Sequence, residues 1–460
     1  MNRQNWNGKK ILVLGAARQG LALARYLSSH GANIVLNDYK SPDLFSVDLQ
    51  SLQDLGVEMV FGSHPVELLN GIDLLCLSGG IPLSLPIVQQ AVHKGIPLSN
   101  DSQVFMEAVP CRTIGITGSA GKTTTTTLVG RMAEVGHPVK VWVGGNIGLP
   151  LITFVDQMQP EDLVVMELSS FQLDQMTISP DIAAVLNITP NHLDRHGTMQ
   201  AYIEAKSQIL LHQSANNVAV LNRDDPGAWS LAGSVVGSLV TFGFNRPEGE
   251  YRGTSFDQGW VWLSTGINEE QLMPREMIML KGDHNVSNVL AACAIAHAAG
   301  ITAEAMVNGV AGFSGVPHRL ELVRILHGVA WYNDSIATAP ERTMAALRSF
   351  QEPVVLLLGG RDKNLPWDEL VSMTNQGIRH IALFGEAAQM IKSKLQAANG
   401  SSATYSVSIS STLQEAINAA QAAARPGDIV LLSPGCTSFD AFKDFEERGE
   451  KFRQWVNRLT

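Results

Sequence analysis

The chain has 460 residues, 45% of them hydrophobic and 17% charged, which is typical of a globular protein and excludes a disordered one. Its 33 Lys and Arg against 43 Asp and Glu give a net charge of −10, which disfavours nonspecific binding to nucleic acid or to an anionic membrane. The sequence contains no apolar run of the ~20 residues that a membrane-spanning helix needs, no signal-peptide core and no cysteine spacing typical of zinc sites. We therefore expect a cytoplasmic protein.

Short β-branched runs recur along the chain, each followed by a loop and then by a helical pattern. In chain order they are KKILVLG, NIVLND, TIGITG, DLVVMEL, IAAVLNIT, NVAVLN, VVLLLGG, HIALFG and DIVLLSPG. Apolar strands alternating with helices are typical of parallel sheets covered on both faces. The segment 235–281 differs, because its short strands and turns contain no long helix, and it predicts a small antiparallel sheet.

The glycine-marked loops near Gly15, Gly118 and Gly359 begin three separate stretches of this pattern. We therefore predict an α/β protein of three domains, with the boundaries 1–107, 108–311 and 312–460. The first and last domains are expected to be Rossmann-like. The central domain is expected to resemble a P-loop ATPase, with a parallel sheet plus the small antiparallel sheet.

The strongest local motif is ITGSAGKTT, in which a predicted strand leads through a glycine loop into a Thr-rich helix. Backbone N–H groups at such a helix N-terminus bind polyphosphates. Lys122 would add positive charge, and the Thr123 hydroxyl would be a ligand for Mg²⁺. The loop is shorter than the usual P-loop, because Ile116 occupies the position of its first glycine. The motif predicts a nucleoside triphosphate site formed by Gly118, Ser119, Ala120, Gly121, Lys122, Thr123 and Thr124.

The loop Gly15-Ala-Ala-Arg-Gln-Gly20 has only the outer glycines of a dinucleotide fingerprint. Asp38 ends the second predicted strand, where an acidic residue would contact a ribose hydroxyl. These features fit a nucleotide diphosphate or NAD, and a packed turn without a ligand would explain them as well.

Other polar residues follow predicted strands, at the edge where open α/β sheets bind ligands. Glu167 ends one strand and His192 follows the next, so with Thr123 they would hold Mg²⁺. Lys206 on its own is expected to be a solvated helix lysine. Arg319 and Asp334 fit an interdomain ion pair or a capped turn as well as a ligand site.

Several segments, in this order and spacing, resemble the Mur ligase family, whose members join amino acids to UDP-linked peptidoglycan precursors. The segments are ITGSAGKTT, VGGNIGLPL, MELSSFQL, LNITPNHLDRHG, GDHNVSNVLAA, GVPHRLE, YNDSIAT and SPGCTSFDAFKDFEERGEKF. The resemblance runs from about residue 9 to 455. It implies an ATP-dependent ligase that forms an acyl phosphate. The combination of ELSSFQL, NHLDRHG and the SFDAFKDFEERG tail favours a member that adds D-glutamate to UDP-N-acetylmuramoyl-L-alanine.

The resemblance also implies roles for residues of the central domain. The catalytic residues would be Lys122, Glu167, His192 and Lys206, and Mg²⁺ would be held by Thr123, Glu167, His192 and a carbamylated Lys206. Asn285 and Asn288 would lie near the adenine, and Arg319 and Asp334 would contact ATP.

The remaining implied residues bind the two other substrates. The UDP-linked substrate would contact Ala17, Arg18, Asp38, Tyr39, Gly80 and Asn146, and D-glutamate would contact Thr338, Lys363, Ser438 and Phe445. Three departures from the family pattern lie here. Gly79 replaces a common proline, Ile336 replaces a common lysine, and Ala339-Pro340 replaces a common polar pair. Arg361 or Arg342 would supply the lost charge.

Two alternatives remain open at this point. A related ligase with another acceptor amino acid, of the Mur or folate–glutamate type, would keep the central motifs. A non-catalytic nucleotide-binding regulator or NAD-binding protein would leave Glu167, His192 and Lys206 without a role. As partners we expect small-molecule substrates only, no nucleic acid and no membrane, and we expect a monomer.

Overall fold

The computed structural model divides into two compact units, Met1–Phe313 and Ser314–Thr460. The structure describes residues 5–42, 49–136, 138, 140–148, 150–191, 193–246, 251–280, 282–363, 365–399 and 403–460, without the side chains of 193, 194 and 399. Within these ranges no helix is both long and apolar enough to cross a membrane.

The first sheet of the Met1–Phe313 unit is formed by residues near the N-terminus. Its strands are β1 (Lys10–Leu14), β2 (Asn33–Asp38), β3 (Glu58–Phe61), β4 (Leu74–Leu77) and β5 (Leu98–Ser99), and its helices are α1 (Arg18–Ser29), α2 (Gln50–Gln53), α3 (Pro86–His93) and α4 (Asp101–Ala108). All strands are parallel, in the order β3-β2-β1-β4-β5. Along β1, Ile11 and Val13 pack into one hydrophobic cluster and Leu12 and Leu14 into another. After the exposed Lys10 the strand is continuously apolar, because both faces of the sheet are buried.

The second sheet of this unit has nine strands. They are β6 (Arg112–Thr117), β7 (Val141–Gly145), β8 (Leu163–Glu167), β9 (Ile182–Val185), β10 (Val218–Asn222), β11 (Ser238–Phe242), β12 (Arg252–Asp257), β13 (Trp260–Thr265) and β14 (Glu269–Pro274). The helices are α5 (Lys122–Gly136), α6 (Ser170–Leu173), α7 (Leu193–His196), α8 (Met199–Leu211), α9 (Pro226–Trp229), α10 (Asp283–Ala299) and α11 (Ala303–Val310). The strand order is β14-β13-β12-β11-β10-β9-β6-β8-β7.

The segment 235–281 forms the predicted strands but not a separate sheet. The strand β11 pairs in parallel with both β10 and β12, and only β12, β13 and β14 pair antiparallel. Because β12 pairs with β11 along its edge, the antiparallel strands extend the parallel sheet. The helix α10, which follows this segment, packs against α5 and against β10, β11 and β12. These contacts explain why most of α10 is buried.

The Ser314–Thr460 unit contains one six-stranded sheet. Its strands are β15 (Glu321–Leu326), β16 (Val329–Asn333), β17 (Val354–Gly359), β18 (Ile378–Phe384), β19 (Ser406–Ser410) and β20 (Ile429–Gly435), and its helices are α12 (Pro340–Leu347), α13 (Asp368–Met373), α14 (Ala388–Asn399), α15 (Leu413–Ala423) and α16 (Phe445–Arg458). The order is β15-β16-β20-β17-β18-β19, and only β15 and β16 pair antiparallel.

The predicted fold class is confirmed: three α/β sheets follow one another along the chain, each built around parallel strands. The first two sheets belong to the same compact unit. The three domain boundaries inferred from the sequence stay a prediction.

Candidate active site

The predicted phosphate loop lies between the end of β6 and the start of α5. The backbone N–H of Ala120 donates to Asn187 Oδ1 at 2.8 Å, and the Lys122 ammonium folds back to donate to Gly118 O at 2.8 Å. Gly121 has a φ of +83°, which side-chain-bearing residues rarely adopt. The loop therefore has a fixed shape, with its lysine directed over its own backbone.

The start of helix α10, which lies next to this loop, carries Asn285 and Asn288, the two residues expected near the adenine of ATP. A Cβ on Gly121 would lie 2.2 Å from Asn288 Oδ1, so the loop and α10 touch at a point where only glycine fits. The Asn288 amide in turn donates to Asn285 Oδ1 at 3.2 Å. Asn288 thus lies against the phosphate loop, and Asn285 is linked to it through Asn288. Their contact with the adenine stays a prediction.

A cluster of oxygen ligands lies next to the loop. The Thr123 hydroxyl donates to Glu167 Oε2 at 2.8 Å, and the Asn146 amide donates to Glu167 Oε1 at 2.8 Å. Glu167 is only 2% exposed, so the two hydrogen bonds fix the direction of its carboxylate. The strand β8 ends at Glu167 and α5 carries Thr123, which is why residues from separate motifs meet here.

These oxygens suit Mg²⁺, which is usually bound through one or two carboxylates together with substrate phosphates and water. His192 lies outside the described residues. Among the residues that are described, no three His, Cys, Asp or Glu side chains form a metal-binding group. A hydroxyl and a carboxylate beside a phosphate loop fit a metal that completes its ligands with the nucleotide.

Lys206 is buried beside this cluster, 1% exposed, and the expectation of a solvated helix lysine is wrong. Its ammonium donates to Thr117 Oγ1 at 3.3 Å and lies 4.8 Å from the ring centre of Tyr202. Burial, helped by the positive charge of Lys122 and opposed by the Glu167 carboxylate, lowers its pKa to about 7. At neutral pH much of this amine is therefore unprotonated, and it is a nucleophile.

The loops after β1, β2 and β4 meet at the carboxyl edge of the first sheet. Asp38 accepts the backbone N–H of Ala16 at 2.7 Å, and the Ser78 hydroxyl donates to Gly15 O at 2.9 Å. A Cβ on Gly20 would lie 1.9 Å from Gly15 O, so α1 approaches this loop closely. The predicted residues Ala17, Tyr39 and Gly80 are exposed on these loops, and Arg18 is exposed at the start of α1.

A cleft of about 140 Å³ in the same unit contains residues that the sequence analysis did not select. It is bordered by the loop after β4 and by Phe171, Arg195 and His196. The His196 ring stacks on Phe171 with centres 5.2 Å apart, and the Arg195 guanidinium lies 4.8 Å from the centre of the Phe171 ring. The sequence could have pointed to these side chains, because Phe171 belongs to the motif MELSSFQL, and Arg195 and His196 belong to LNITPNHLDRHG.

The Ser314–Thr460 unit places its predicted residues after β16, β17 and β20. Lys363 donates to Thr338 Oγ1 at 3.4 Å, which joins two of the residues assigned to D-glutamate. Ser438 is buried in the loop after β20, and Phe445 begins α16. The neighbouring loops therefore bring these four residues to the same edge of the sheet.

Asp334 follows β16 and is buried. Its carboxylate accepts the Ser433 hydroxyl at 2.8 Å and the backbone N–H of Leu320 at 3.2 Å. Burial raises its pKa to about 6, while the two hydrogen bonds and the charges of Arg319 and Arg342 oppose that rise. The carboxylate thus holds the turn next to the exposed Arg319.

Three family models match successive parts of the chain. They are the MurD-like N-terminal domain of Mur ligases over residues 9–100, the Mur ligase middle domain over 116–296 and the Mur ligase glutamate ligase domain over 318–436.

Full-length relatives and solved structures agree with these matches. UDP-N-acetylmuramoylalanine–D-glutamate ligases of Pelotomaculum thermopropionicum and a Thermoanaerobacter species are each 38% identical, covering 99% and 98% of this chain and 99% of their own. In fold, the chain is similar to MurC of Thermotoga maritima (TM-score 0.52, 18% identity, covering 98% of this chain and 99% of the other) and to MurF of Acinetobacter baumannii (TM-score 0.53, 18%, covering 98% and 92%). With three consecutive domain matches and 38% identity over its whole length, this chain belongs to the Mur ligase family.

Proposed function

We propose that the protein is an ATP-dependent amide ligase that adds D-glutamate to UDP-N-acetylmuramoyl-L-alanine and releases ADP and phosphate, a step of peptidoglycan precursor synthesis. The observation that carries the proposal is the 38% identity, over 99% of both chains, to an enzyme with that name. The phosphate loop beside the Thr123–Glu167 pair supports the use of ATP.

A carboxylate is a poor acyl electrophile, so the reaction needs activation by phosphoryl transfer. The γ-phosphoryl group of ATP passes to an oxygen of the L-alanine carboxylate, and the bond to the β-phosphate oxygen breaks, which leaves ADP. The amine of D-glutamate then attacks the acyl carbon and gives up a proton, and phosphate leaves as the amide forms. Catalysis of this kind depends mainly on positioning and on electrostatic stabilisation.

The residues of the phosphate loop would carry out the first step. Backbone N–H groups at the start of α5 bind phosphate oxygens, and the Lys122 ammonium turns from Gly118 O towards the transferring group. Thr123 and Glu167 would hold Mg²⁺, which neutralises phosphate charge when it is bound. Asn146 keeps the Glu167 carboxylate in place.

Lys206 would serve as an anionic ligand after its neutral amine has added CO₂ and released a proton, which leaves a carbamate. A protonated lysine would repel the metal, whereas a carbamate supplies two oxygens. The buried site favours this reaction, because a pKa of about 7 leaves a large share of the amine neutral.

The remaining residues would bind the other two substrates. For the UDP-linked substrate these are Ala17, Arg18, Asp38, Tyr39, Gly80 and Asn146; for D-glutamate they are Thr338, Lys363, Ser438 and Phe445; for ATP they include Asn285, Asn288, Arg319 and Asp334, and His192 completes the metal ligands. We keep the division into domains 1–107, 108–311 and 312–460, a cytoplasmic location and a monomeric state as part of the proposal.

Phosphate release tests the proposed function directly. The protein is incubated with ATP, Mg²⁺ and UDP-N-acetylmuramoyl-L-alanine, and D-glutamate, L-glutamate, L-alanine or a diamino acid is added in turn. Release with D-glutamate alone is expected; release with a different amine would keep the reaction and overturn the specificity. Lys122→Met is expected to abolish release, whereas Lys394→Met, a change of an exposed lysine, is expected to leave it unchanged. No release with any amine would refute the proposal.

A further inference from the structure

Arg448 is a charged residue in an unusual place. It lies in the second turn of α16, and its side chain is completely buried at 0% exposure. Arginine is almost never fully buried unless it is paired. Burial lowers the pKa of its guanidinium to about 10, so the group still carries its charge at neutral pH.

The guanidinium donates three hydrogen bonds to two segments outside α16. Its Nε donates to Ser335 Oγ at 2.9 Å, Nη2 donates to Ser335 O at 2.8 Å, and Nη1 donates to Cys436 O at 3.1 Å. The Ser335 hydroxyl in turn donates a hydrogen bond to Phe445 O at 2.8 Å. One side chain therefore links the loops after β16 and β20 to the first turn of α16.

The three linked segments contain residues that the proposed function assigns to the binding of D-glutamate. Thr338 follows Ser335 by three positions, Ser438 follows Cys436 by two, and Phe445 is itself part of the network. The loop that leads to Lys363 is adjacent as well, because a Cβ on Gly360 would lie 3.1 Å from Arg448 Nη1.

The acceptors of these hydrogen bonds are all neutral. Within the described part of the chain no carboxylate lies at hydrogen-bond distance from Arg448, and Asp440 acts only through its more distant charge. A buried charge without a close counter-ion loses its hydration and gains no ion pair, so it is a poor source of stability. The rigid fork of donors, which reaches two loops at once, is what an apolar residue would lack.

We propose that Arg448 is a positioning residue, which holds the loops bearing Thr338, Ser438 and Phe445 and thereby sets the affinity for the amino-acid substrate. This inference rests on the proposed function, which places an anionic amino acid at these loops. Arg448 has no exposed surface, so it acts through the loops.

The test compares substitutions of Arg448 with a matched change on the same helix. Lysine keeps the charge and the stem but not the fork, so Arg448→Lys is expected to raise KM for the amino acid about 10- to 100-fold, since small misplacements of binding groups cost this much. KM for UDP-N-acetylmuramoyl-L-alanine is expected to stay within about twofold. The control is Arg453→Lys, which changes a partly exposed arginine paired with Glu321 and Glu450 and is expected to leave both KM values unchanged.

Two further measurements separate positioning from a general loss of stability. Thermal unfolding of each variant is recorded, and the KM of Arg448→Ala is measured with added guanidinium, which is expected to fill the vacated space and lower that KM again. A wild-type KM for the amino acid in Arg448→Lys, with only Tm reduced, would overturn the inference. An inactive wild-type protein would instead refute the proposed function, so the two failures are distinguishable.

Discussion

Replacing Lys206 separates the roles of its charge, its volume and its carbamate. Lys206→Ala removes the amine and leaves a space beside Thr117 and Glu167, whereas Lys206→Met removes the amine and fills that space. Both changes are expected to reduce phosphate release at least about 100-fold, the scale on which removal of one electrostatic group acts in catalysis. Acetate or formate is expected to restore part of the activity of Lys206→Ala only, because a small carboxylate needs the vacated space.

The size of the pKa shift sets how readily the carbamate forms. At pH 8 an amine with a pKa of about 7 is about 90% neutral, whereas one with the ordinary pKa of 10.5 is about 0.3% neutral, a difference of roughly 300-fold in reactive amine. Added bicarbonate is therefore expected to raise the activity of CO₂-depleted wild-type enzyme at pH 8. Neither variant at Lys206 should respond to bicarbonate.

The same shift predicts a pH dependence of stability in the protein without metal or CO₂. Between pH 7 and pH 9 the unfolded chain binds more protons at Lys206 than the folded chain does, so raising the pH stabilises the fold. A pKa of about 7 gives a gain of about 2 kcal/mol over that interval relative to Lys206→Met. Urea unfolding in EDTA and CO₂-free buffer measures the difference. An equal pH dependence in both proteins, or unchanged activity of Lys206→Ala, would refute this reasoning.

Three further changes test separate parts of the structure. Gly121→Ala puts a Cβ 2.2 Å from Asn288 Oδ1 at a φ of +83°, so it is expected to raise KM for ATP and to lower the unfolding free energy by about 1–3 kcal/mol, measured by kinetics and urea unfolding. Asp38→Ala removes the acceptor of the Ala16 N–H, and steady-state kinetics should show a KM increase of about tenfold for the UDP-linked substrate but not for ATP. Burial raises the pKa of Asp101 to about 6, so the folded state holds this proton more tightly than the unfolded one. Between pH 4 and pH 7 the unfolding free energy of the wild type should therefore fall by about 2 kcal/mol relative to that of Asp101→Asn, measured by urea unfolding.

The parallel strands were predictable because helices cover both of their faces. Such strands are continuous apolar runs, as β17 shows with the sequence VVLLLG, in which every residue is buried. The pairing of 235–281 was not predictable in the same way. Local sequence indicates that β11 and β12 are strands, but it does not show that they pair in parallel or that α10 packs across both of them.

The candidate site likewise contains residues that the sequence predicted and one whose surroundings it did not predict. The motifs supplied Thr123, Asn146 and Glu167, and the structure joins them through hydrogen bonds of 2.8 Å. The burial of Lys206 could not be derived from α8 alone, since a lysine in the sequence AYIEAKSQIL reads as exposed. Lys206 contacts Tyr202 within α8, but it is also hydrogen-bonded to Thr117 at the end of β6, a contact that depends on the tertiary fold. Only the resemblance singled this lysine out.

Arg448 shows most clearly what sequence alone cannot show. It stands in the sequence FEERGEKFR, whose many charges predict an exposed helix, and its main acceptor, Ser335, belongs to a strand end more than a hundred positions away. The one nearby residue in the sequence that points to close packing is Gly449, directly after Arg448. In the structure a Cβ on Gly449 would lie 2.1 Å from His318 Nδ1. The glycine lets α16 approach the end of β16, where Asn333 donates to Gly449 O at 3.1 Å. That close approach brings the guanidinium within reach of both loops, so Gly449→Ala should raise KM for the amino acid in the same direction as the loss of Arg448 itself.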